Sequence, residues 1–315
     1  MQVKSPSNAV EPSAVSLALT RSDSTPSPQH TAFYKFVHLT HPAEVAACLR
    51  ELCAWPQAGV LGSILVAAEG INGMLAGQPV ALDAIEHALL NDERLAGAFG
   101  GMAFKRSACK TTPFHKMKVH LKAEIVPLGI AGVDAAAKTG TSLSPQAWRE
   151  LLAQEDVVLL DNRNSFEYRL GHFTGAIDPQ VANFRDFPQY VLAHAAQWQA
   201  QGKRVAMYCT GGIRCEKTSA WMLEHWDLPV YQLEGGILNY FAQMPDAQAD
   251  FEGECFVFDN RVALDTHLQE TETTLDDVYV AEPDGPWRLA RAKRLADAGG
   301  AGDAGDSGGA SGTGQ

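Results

Sequence analysis

Residues 203–225 read KRVAMYCTGGIRCEKTSAWMLEH, and the order of elements in this stretch decides the fold of the second half of the chain. An apolar run predicts a buried strand that ends at Cys209, two glycines predict a tight turn, and a helix is expected from about Arg214. DVVLLDNR before it and LPVYQLEGGI after it predict two more buried strands, with helices between them. Strands that alternate with helices indicate a doubly wound α/β domain.

The turn after the central strand has the features of a reactive thiol site. Ligands bind at the carboxyl edge of open parallel sheets, and a glycine turn followed by a helix start directs backbone N–H groups and partial positive charge towards that edge. Both lower the pKa of a thiol, and Arg214 adds a fixed positive charge. We expect Cys209 and Arg214 to be catalytic and Cys215 to be a candidate second thiol. The residues expected to form the anion cradle are Thr210, Gly211, Gly212 and Ile213.

Loop length separates two kinds of chemistry. Cysteine phosphatases place the arginine six positions after the cysteine, whereas here Arg214 is at the fifth position and Cys215 is at the sixth. This spacing disfavours a phosphatase and is that of rhodanese loops, in which the cysteine commonly carries a persulfide.

An upstream stretch, DNRNSFEYRLGHFTGAI (residues 161–177), resembles the rhodanese signature, and LEGGI (residues 233–237) resembles the turn that follows the active-site helix. The resemblance implies supporting roles for Asp161, Arg163 and His172. We expect His172 to brace the loop by hydrogen bonding rather than to act as a base, because a buried polar group must find a partner. The matching residues are Asp161, Arg163, Glu167, Tyr168, Gly171, His172, Gly175, Ala176 and Ile177.

The first half of the chain has a different pattern. Residues 33–39 predict a strand, 42 to about 55 a helix, 59–77 two strands with a turn near 69–73, 79–92 a second helix, and about 116–126 a last strand. The order β-α-β-β-α-β indicates a ferredoxin-like α+β domain. The expected divisions are a disordered leader (1–31), this domain (32–128), a linker (129–143), the rhodanese-like catalytic domain (144–246), an acidic extension (247–285) and a largely disordered tail (286–315).

Charge is distributed unevenly in an acidic protein of net charge −12. Residues 250–284 contain eleven acids and one base, whereas residues 101–123 contain six Lys or Arg and no acid. A solvated, lysine-rich strand edge explains such a segment, and so does a nucleic-acid surface, on which an unpaired base could stack against an aromatic ring. The candidate nucleic-acid contacts are Lys105, Arg106, Lys110, Phe114, Lys116, Lys118 and Lys122, and ordinary core packing is the alternative for Phe114.

Taken together, residues 33–264 resemble the rhodanese-related tRNA uridine hydroxylases: the ferredoxin-like domain contains AAEGINGMLAG, and the active loop reads CTGGIRCEK. The resemblance implies oxygen-dependent 5-hydroxylation of the wobble uridine at tRNA position 34, with Cys209 as the essential cysteine. It implies molecular oxygen as co-substrate and the anticodon region of tRNA as partner. The sequence identifies no other cofactor, no metal-ligand spacing, no electron donor and no protein partner.

No apolar run is long enough to span a membrane, so we expect a cytoplasmic protein. Two alternatives of other classes stay open. A thiosulfate or persulfide sulfurtransferase accounts for the loop but not for the first domain. A non-catalytic binding module would leave Cys209 dispensable.

Overall fold

The computed structural model describes residues 27–54 and 57–297, which form two domains and a C-terminal extension. The expected leader overlaps the first strand at residues 29–31, and residues 1–26 lie outside the described part. The elements of the first domain are β1 (Gln29–Phe36), α1 (Pro42–Leu52), β2 (Val60–Ala67), β3 (Gly70–Gly77), α2 (Pro79–Asn91), β4 (Lys105–Ala108) and β5 (Met117–Leu121).

The strands of the first domain form one sheet in the order β4-β1-β3-β2-β5, and the ferredoxin-like order of elements is confirmed. β4 pairs antiparallel with β1 and is the last strand of the β-α-β-β-α-β unit. The prediction that residues 116–126 fill this role is wrong, because β5 lies at the other edge, parallel to β2. β4 escaped prediction because its four residues, KRSA, lack apolar alternation.

Both helices of the first domain pack on one face of this sheet. Leu49 of α1 and Ile85 of α2 are buried against Ile64 and Leu75, and each buried side chain of this size contributes about 1.5–3 kcal/mol. Proline at the first helical position starts each helix, as predicted. The opposite face is left for contact with the second domain.

The second domain is the predicted doubly wound α/β domain. Its elements are β6 (Thr141–Leu143), α3 (Pro145–Leu152), β7 (Val157–Asp161), α4 (Ser165–Leu170), β8 (Gly171–Phe173), α5 (Phe187–Ala200), β9 (Arg204–Tyr208), α6 (Ile213–His225), β10 (Val230–Leu233) and α7 (Gly236–Gln243). The parallel sheet has the order β6-β10-β9-β7. Helices α5 and α6 bury Val191 and Trp221 on one face, and α3 and α7 bury Trp148 and Tyr240 on the other.

The segment expected to be a linker, residues 129–143, is packed on the second domain. Ala135 is buried, Ile130 and Val133 pack against the α5–α6 side of the sheet, and the last three residues form β6. Its small residues suggested a flexible connection, but its few apolar side chains anchor it.

The C-terminal extension continues the structure beyond the second domain. β11 (Phe251–Gly253) pairs with β8, and β12 (Cys255–Phe256) pairs with β13 (Ala263–Leu264); helices α8 (Leu275–Tyr279) and α9 (Gly285–Asp297) follow. The prediction of disorder from residue 286 is wrong as far as 297, because Arg288 of α9 donates to the carbonyl of Ala182 and lies over the ring of Phe166. Within residues 27–54 and 57–297, no helix has both the length and the apolarity needed to cross a bilayer.

Candidate active site

The loop of residues 209–212 lies at the carboxyl end of β9, between that strand and α6. Cys209 is fully buried (0% exposed). Gly212 has φ +102°, a conformation that side chains rarely adopt, and a Cβ there would lie 2.9 Å from the hydroxyl oxygen of Tyr34. Glycine at this position therefore lets the first domain approach the loop closely.

Backbone amides and a second thiol surround the Cys209 sulfur. The Gly212 N–H donates to Cys209 Sγ at 3.1 Å. Burial opposes ionisation, but the Cys215 thiol, the Arg214 charge and the amides of Cys215 and Gly212 together hold the pKa of Cys209 well below its usual range. Burial and the neighbouring Cys209 raise the pKa of Cys215 well above its usual range. The pair therefore favours a thiolate at Cys209 and a protonated thiol at Cys215.

Arg214 is held by the buried carboxylate of Glu167, which was not among the predicted site residues. Arg214 Nη1 and Nη2 donate to the two oxygens of Glu167 at 2.7 and 2.8 Å, and Nη2 also lies 3.2 Å from Thr210 Oγ1. The ion pair joins α4 to the first turn of α6 and fixes the guanidinium beside Cys209. Glu167 belongs to the matched upstream signature, which is the signal that could have identified it.

Asp161 and Arg163 form a fully buried ion pair near the ends of β7 and β9. Arg163 Nη2 donates to Asp161 Oδ2 and to the carbonyl of Gly171, each at 2.6 Å, and the Tyr208 hydroxyl donates to Asp161 Oδ2 at 2.7 Å. Tyr208 directly precedes Cys209, so the pair holds the strand that positions the loop.

His172 lies in a different place from the one expected. Its Nδ1 is 3.0 Å from the carbonyl oxygen of Tyr168, and its ring stacks on the Tyr168 ring with centroids 3.9 Å apart. Both contacts are to the residue four positions earlier, so His172 braces the turn between α4 and β8 rather than the loop of residues 209–212.

The glycine pair in LEGGI packs beneath the loop. The N–H groups of Ile237 and Leu238 donate to the carbonyls of Cys209 and Thr210 at 3.0 and 3.2 Å. A Cβ at Gly236 would lie 2.4 Å from the Cys209 carbonyl oxygen, so only glycine permits this approach. The start of α7 therefore supports the loop from below.

Lys105, expected to contact tRNA, instead holds the loop from the first domain. Its ammonium group donates to the carbonyls of Gly211 and Gly235, and it lies 5.3 Å from the ring centroid of Tyr34. Burial lowers the pKa of Lys105, opposed by the nearby Cys209, Glu216 and Glu234. The ammonium group of Lys105 is therefore occupied by contacts within the protein, and the residue is only half-exposed.

A second lysine, Lys217, extends from α6 of the second domain to carboxylates in the first half of the chain. Its side chain is 1% exposed, and its ammonium group contacts Glu69 at 2.7 Å, Glu124 at 2.5 Å and the Val126 carbonyl at 3.0 Å. Glu69 in turn accepts from the Ile125 N–H at 2.7 Å. No local sequence pattern indicates a role for Lys217, because its partners lie 93 and 148 positions earlier.

Two more members of the basic segment are engaged within the protein. Arg106 contacts Glu86 and Asp83 at 2.8 and 2.6 Å. Phe114 is 4% exposed and packs near His30 with ring centroids 5.9 Å apart, so it does not present a ring on which a base could stack. An aromatic residue suits either a stacking platform or ordinary packing, and the burial of this ring fits the second.

The other lysines of the segment reach the surface. Lys110 and Lys116 are exposed, and Lys118 and Lys122 are half-buried. The Lys110 backbone N–H donates to Glu270 at 2.9 Å, and Lys122 also lines the cavity described next.

A cavity of ≈ 370 Å³ lies between the open face of the first sheet and the loop. Cys209, Thr210, Gly211, Ile213 and Arg214 line it from the second domain. The first domain and the C-terminal extension complete it with residues that include His30, Ala32, Tyr34, Lys105, Phe258, Asp259 and Arg261. Such a cavity can admit a small planar group to the thiol. No cluster of three or more His, Cys, Asp or Glu in residues 27–54 and 57–297 is arranged to hold a metal ion.

Comparisons with known proteins agree on both halves of the chain. Residues 29–125 match the model of the UPF0176 acylphosphatase-like domain, and residues 144–243 match the rhodanese-like domain. A tRNA uridine(34) hydroxylase of Nitrobacter winogradskyi is 45% identical over 76% of this chain and 92% of its own length. One of Legionella pneumophila is 42% identical over 80% of this chain and 96% of its own. One of Bradyrhizobium diazoefficiens is 43% identical over 76% of this chain and 93% of its own length.

Proposed function

The chain belongs to the tRNA uridine(34) hydroxylase family, and from this membership we propose that it is an oxidoreductase that converts the wobble uridine of tRNA to 5-hydroxyuridine with molecular oxygen. The observation that carries the proposal at the level of chemistry is the buried Cys209 sulfur, which accepts a backbone N–H and borders a cavity built by both domains. A rhodanese-like domain alone would contribute only one wall of that cavity.

The proposed first step is nucleophilic. The Cys209 thiolate adds to C6 of the uracil, which places electron density on C5 and the adjacent carbonyl. The loop amides and the Arg214–Glu167 pair keep the thiolate in place, and C5 then reacts with oxygen. Loss of the C5 proton and release of Cys209 restore the ring double bond.

The balance of atoms requires a two-electron reductant, and we propose that it is of the thiol class. One oxygen atom enters C5 and the other leaves as water, so each turnover consumes two electrons and two protons. Two thiols that become a disulfide supply both. Cys215, whose thiol contacts Cys209, is the candidate partner for the first turnover, and solution thiols would then restore the reduced pair.

The proposed RNA contacts are four lysines of the basic segment that lie at least partly at the surface, Lys110, Lys116, Lys118 and Lys122. Phosphate contacts give affinity without reading the sequence, which suits an enzyme whose specificity lies in its cavity. The wobble base lies in an unpaired loop, so it can enter the cavity without melting a duplex. With tRNA as substrate, we place the protein in the cytoplasm.

The test is incubation of the purified protein with unmodified tRNA, oxygen and a thiol reductant, followed by mass analysis of nucleosides. The wild type should produce 5-hydroxyuridine and Cys209→Ala should not. Cys53→Ala is the matched control, because Cys53 is a buried cysteine of the first-domain core. Product formation by Cys209→Ala would refute the role of this thiol.

The loop spacing also favours the sulfurtransferase alternative, which the same preparation tests. Such an enzyme releases thiocyanate from thiosulfate and cyanide at a rate that depends on Cys209. Thiocyanate release without hydroxylation of tRNA would replace the proposed function.

A further inference from the structure

His30 in β1 stands out because one of its polar atoms is buried without a partner. The residue is 3% exposed, and its Nε2 has no hydrogen-bond partner among the described residues. An unsatisfied buried polar atom destabilises the folded protein, and such atoms are rare. His30 lines the cavity that Cys209 also lines.

The neighbouring charged groups make no hydrogen bond to this nitrogen. Asp259 Oδ2 lies 3.6 Å from His30 Nε2, beyond hydrogen-bonding distance. The Asp259 carboxylate is already bound by Arg261, whose Nε and Nη2 donate to its two oxygens at 2.9 and 2.6 Å. Burial, assisted by the Arg261 charge, lowers the pKa of His30 to about 4, although Asp259 opposes the shift. The ring is therefore neutral, with one nitrogen available to a ligand.

The geometry points to His30 as a residue that recognises the substrate base: we infer that His30 Nε2 hydrogen-bonds the Watson–Crick edge of the uracil while Cys209 approaches C6. This inference rests on the proposed function. In a uracil ring N3 lies opposite C6, flanked by two carbonyl oxygens. A base with C6 towards the thiol of the second domain turns that edge away from it, and His30 belongs to the wall contributed by the first domain. A neutral imidazole can donate to a carbonyl oxygen or accept from N3–H.

Thr31, the next residue, provides a matched control. Its side chain is also fully buried with an unpartnered oxygen, yet alternate residues of a strand point to opposite faces and Thr31 does not line the cavity. A general effect of altering β1 should therefore appear equally in Thr31→Val.

The experiment measures the affinity of two anticodon stem-loop RNAs in the absence of oxygen. One carries uridine at position 34 and the other carries an abasic site, so contacts with phosphates cancel in the ratio of the two dissociation constants. We expect the wild type to favour the uridine RNA and His30→Leu to reduce that ratio about tenfold. His30→Gln, which keeps a polar group near the position of Nε2, and Thr31→Val should retain it.

Retention of the full ratio by His30→Leu, an equal loss in Thr31→Val, or no preference in the wild type would overturn the inference. Hydroxylation by the same wild-type preparation shows separately whether the proposed function holds. The wild type also offers a measurement without substitution. The ¹⁵N resonance of His30 Nε2, assigned with His30→Gln, should shift with the uridine RNA and not with the abasic RNA, and an unchanged resonance would equally overturn the inference.

Discussion

Replacing Glu167 with glutamine removes the charge that faces Arg214 while keeping nearly the same shape. Both side chains are buried, at 0% and 5% exposure, and they share two hydrogen bonds of 2.7 and 2.8 Å. Removing one member of such a pair leaves an uncompensated charge in a medium of low dielectric constant. The cost is about 3–5 kcal/mol, a large part of the 5–15 kcal/mol that typically stabilises a folded protein.

Urea unfolding followed by tryptophan fluorescence measures this cost. With an m-value of about 3 kcal/mol per molar urea, the midpoint should fall by roughly 1 to 1.7 M. Glu150→Gln, at an exposed position of α3, should change stability by less than about 0.5 kcal/mol. A midpoint shift for Glu167→Gln as small as that of Glu150→Gln would refute the reasoning.

The same pair predicts a dependence on pH. Although burial alone would raise it, the Arg214 guanidinium holds the pKa of Glu167 below its usual range. A carboxylate with a depressed pKa in the folded state contributes stability above its unfolded pKa of about 4.3, and that contribution is lost as the pH falls through the folded value. The difference between wild type and Glu167→Gln should therefore be full at pH 7 and should shrink in acid.

Two further predictions concern the loop itself. Gly212→Ala should lower the free energy of unfolding by about 1–3 kcal/mol, measured by thermal unfolding, because φ is +102° and the new Cβ would meet Tyr34. The control is Gly211→Ala, where no atom lies within 4 Å of the added Cβ. An equal loss of stability in Gly211→Ala would contradict this explanation. In alkylation by iodoacetamide followed by peptide mapping, Cys209 should react at pH values below the ordinary thiol pKa of about 8.5, whereas burial raises the pKa of Cys53 to about 12 and should keep it unreactive. A Cys209 rate that rises only above pH 8.5 would count against a stabilised thiolate.

The sequence predicted the parts of the site that are local in the chain. The strand ending before Cys209, the glycine turn and the following helix could be read directly, because hydrophobic runs and glycines act over a few residues. LEGGI was matched to the turn that follows the active-site helix, and the start of α7 at this turn hydrogen-bonds the carbonyls of Cys209 and Thr210. Fold class followed from the alternation of strands and helices.

What the sequence could not provide was the set of contacts between distant residues. A lysine such as Lys105 is suited to a phosphate contact, but tertiary packing places its ammonium group against the carbonyls of Gly211 and Gly235. For Phe114 the sequence left base stacking and ordinary packing open, because aromatic residues suit both environments, and its ring is buried. The orphaned nitrogen of His30 depends on Arg261 engaging Asp259, more than 220 positions further along the chain. No local pattern encodes such an arrangement.

The buried contact of Lys217 with Glu69 and Glu124 has a consequence for the biosynthesis of the protein. The two glutamates are synthesised 148 and 93 residues before the lysine, an interval of roughly 5 to 30 seconds at ordinary rates of translation. For most of that interval Cys209 has not yet been synthesised, and the first domain can fold with both carboxylates in water. The order of translation thus makes the contact between the two domains a late event, which cannot form until residue 217 has left the ribosome.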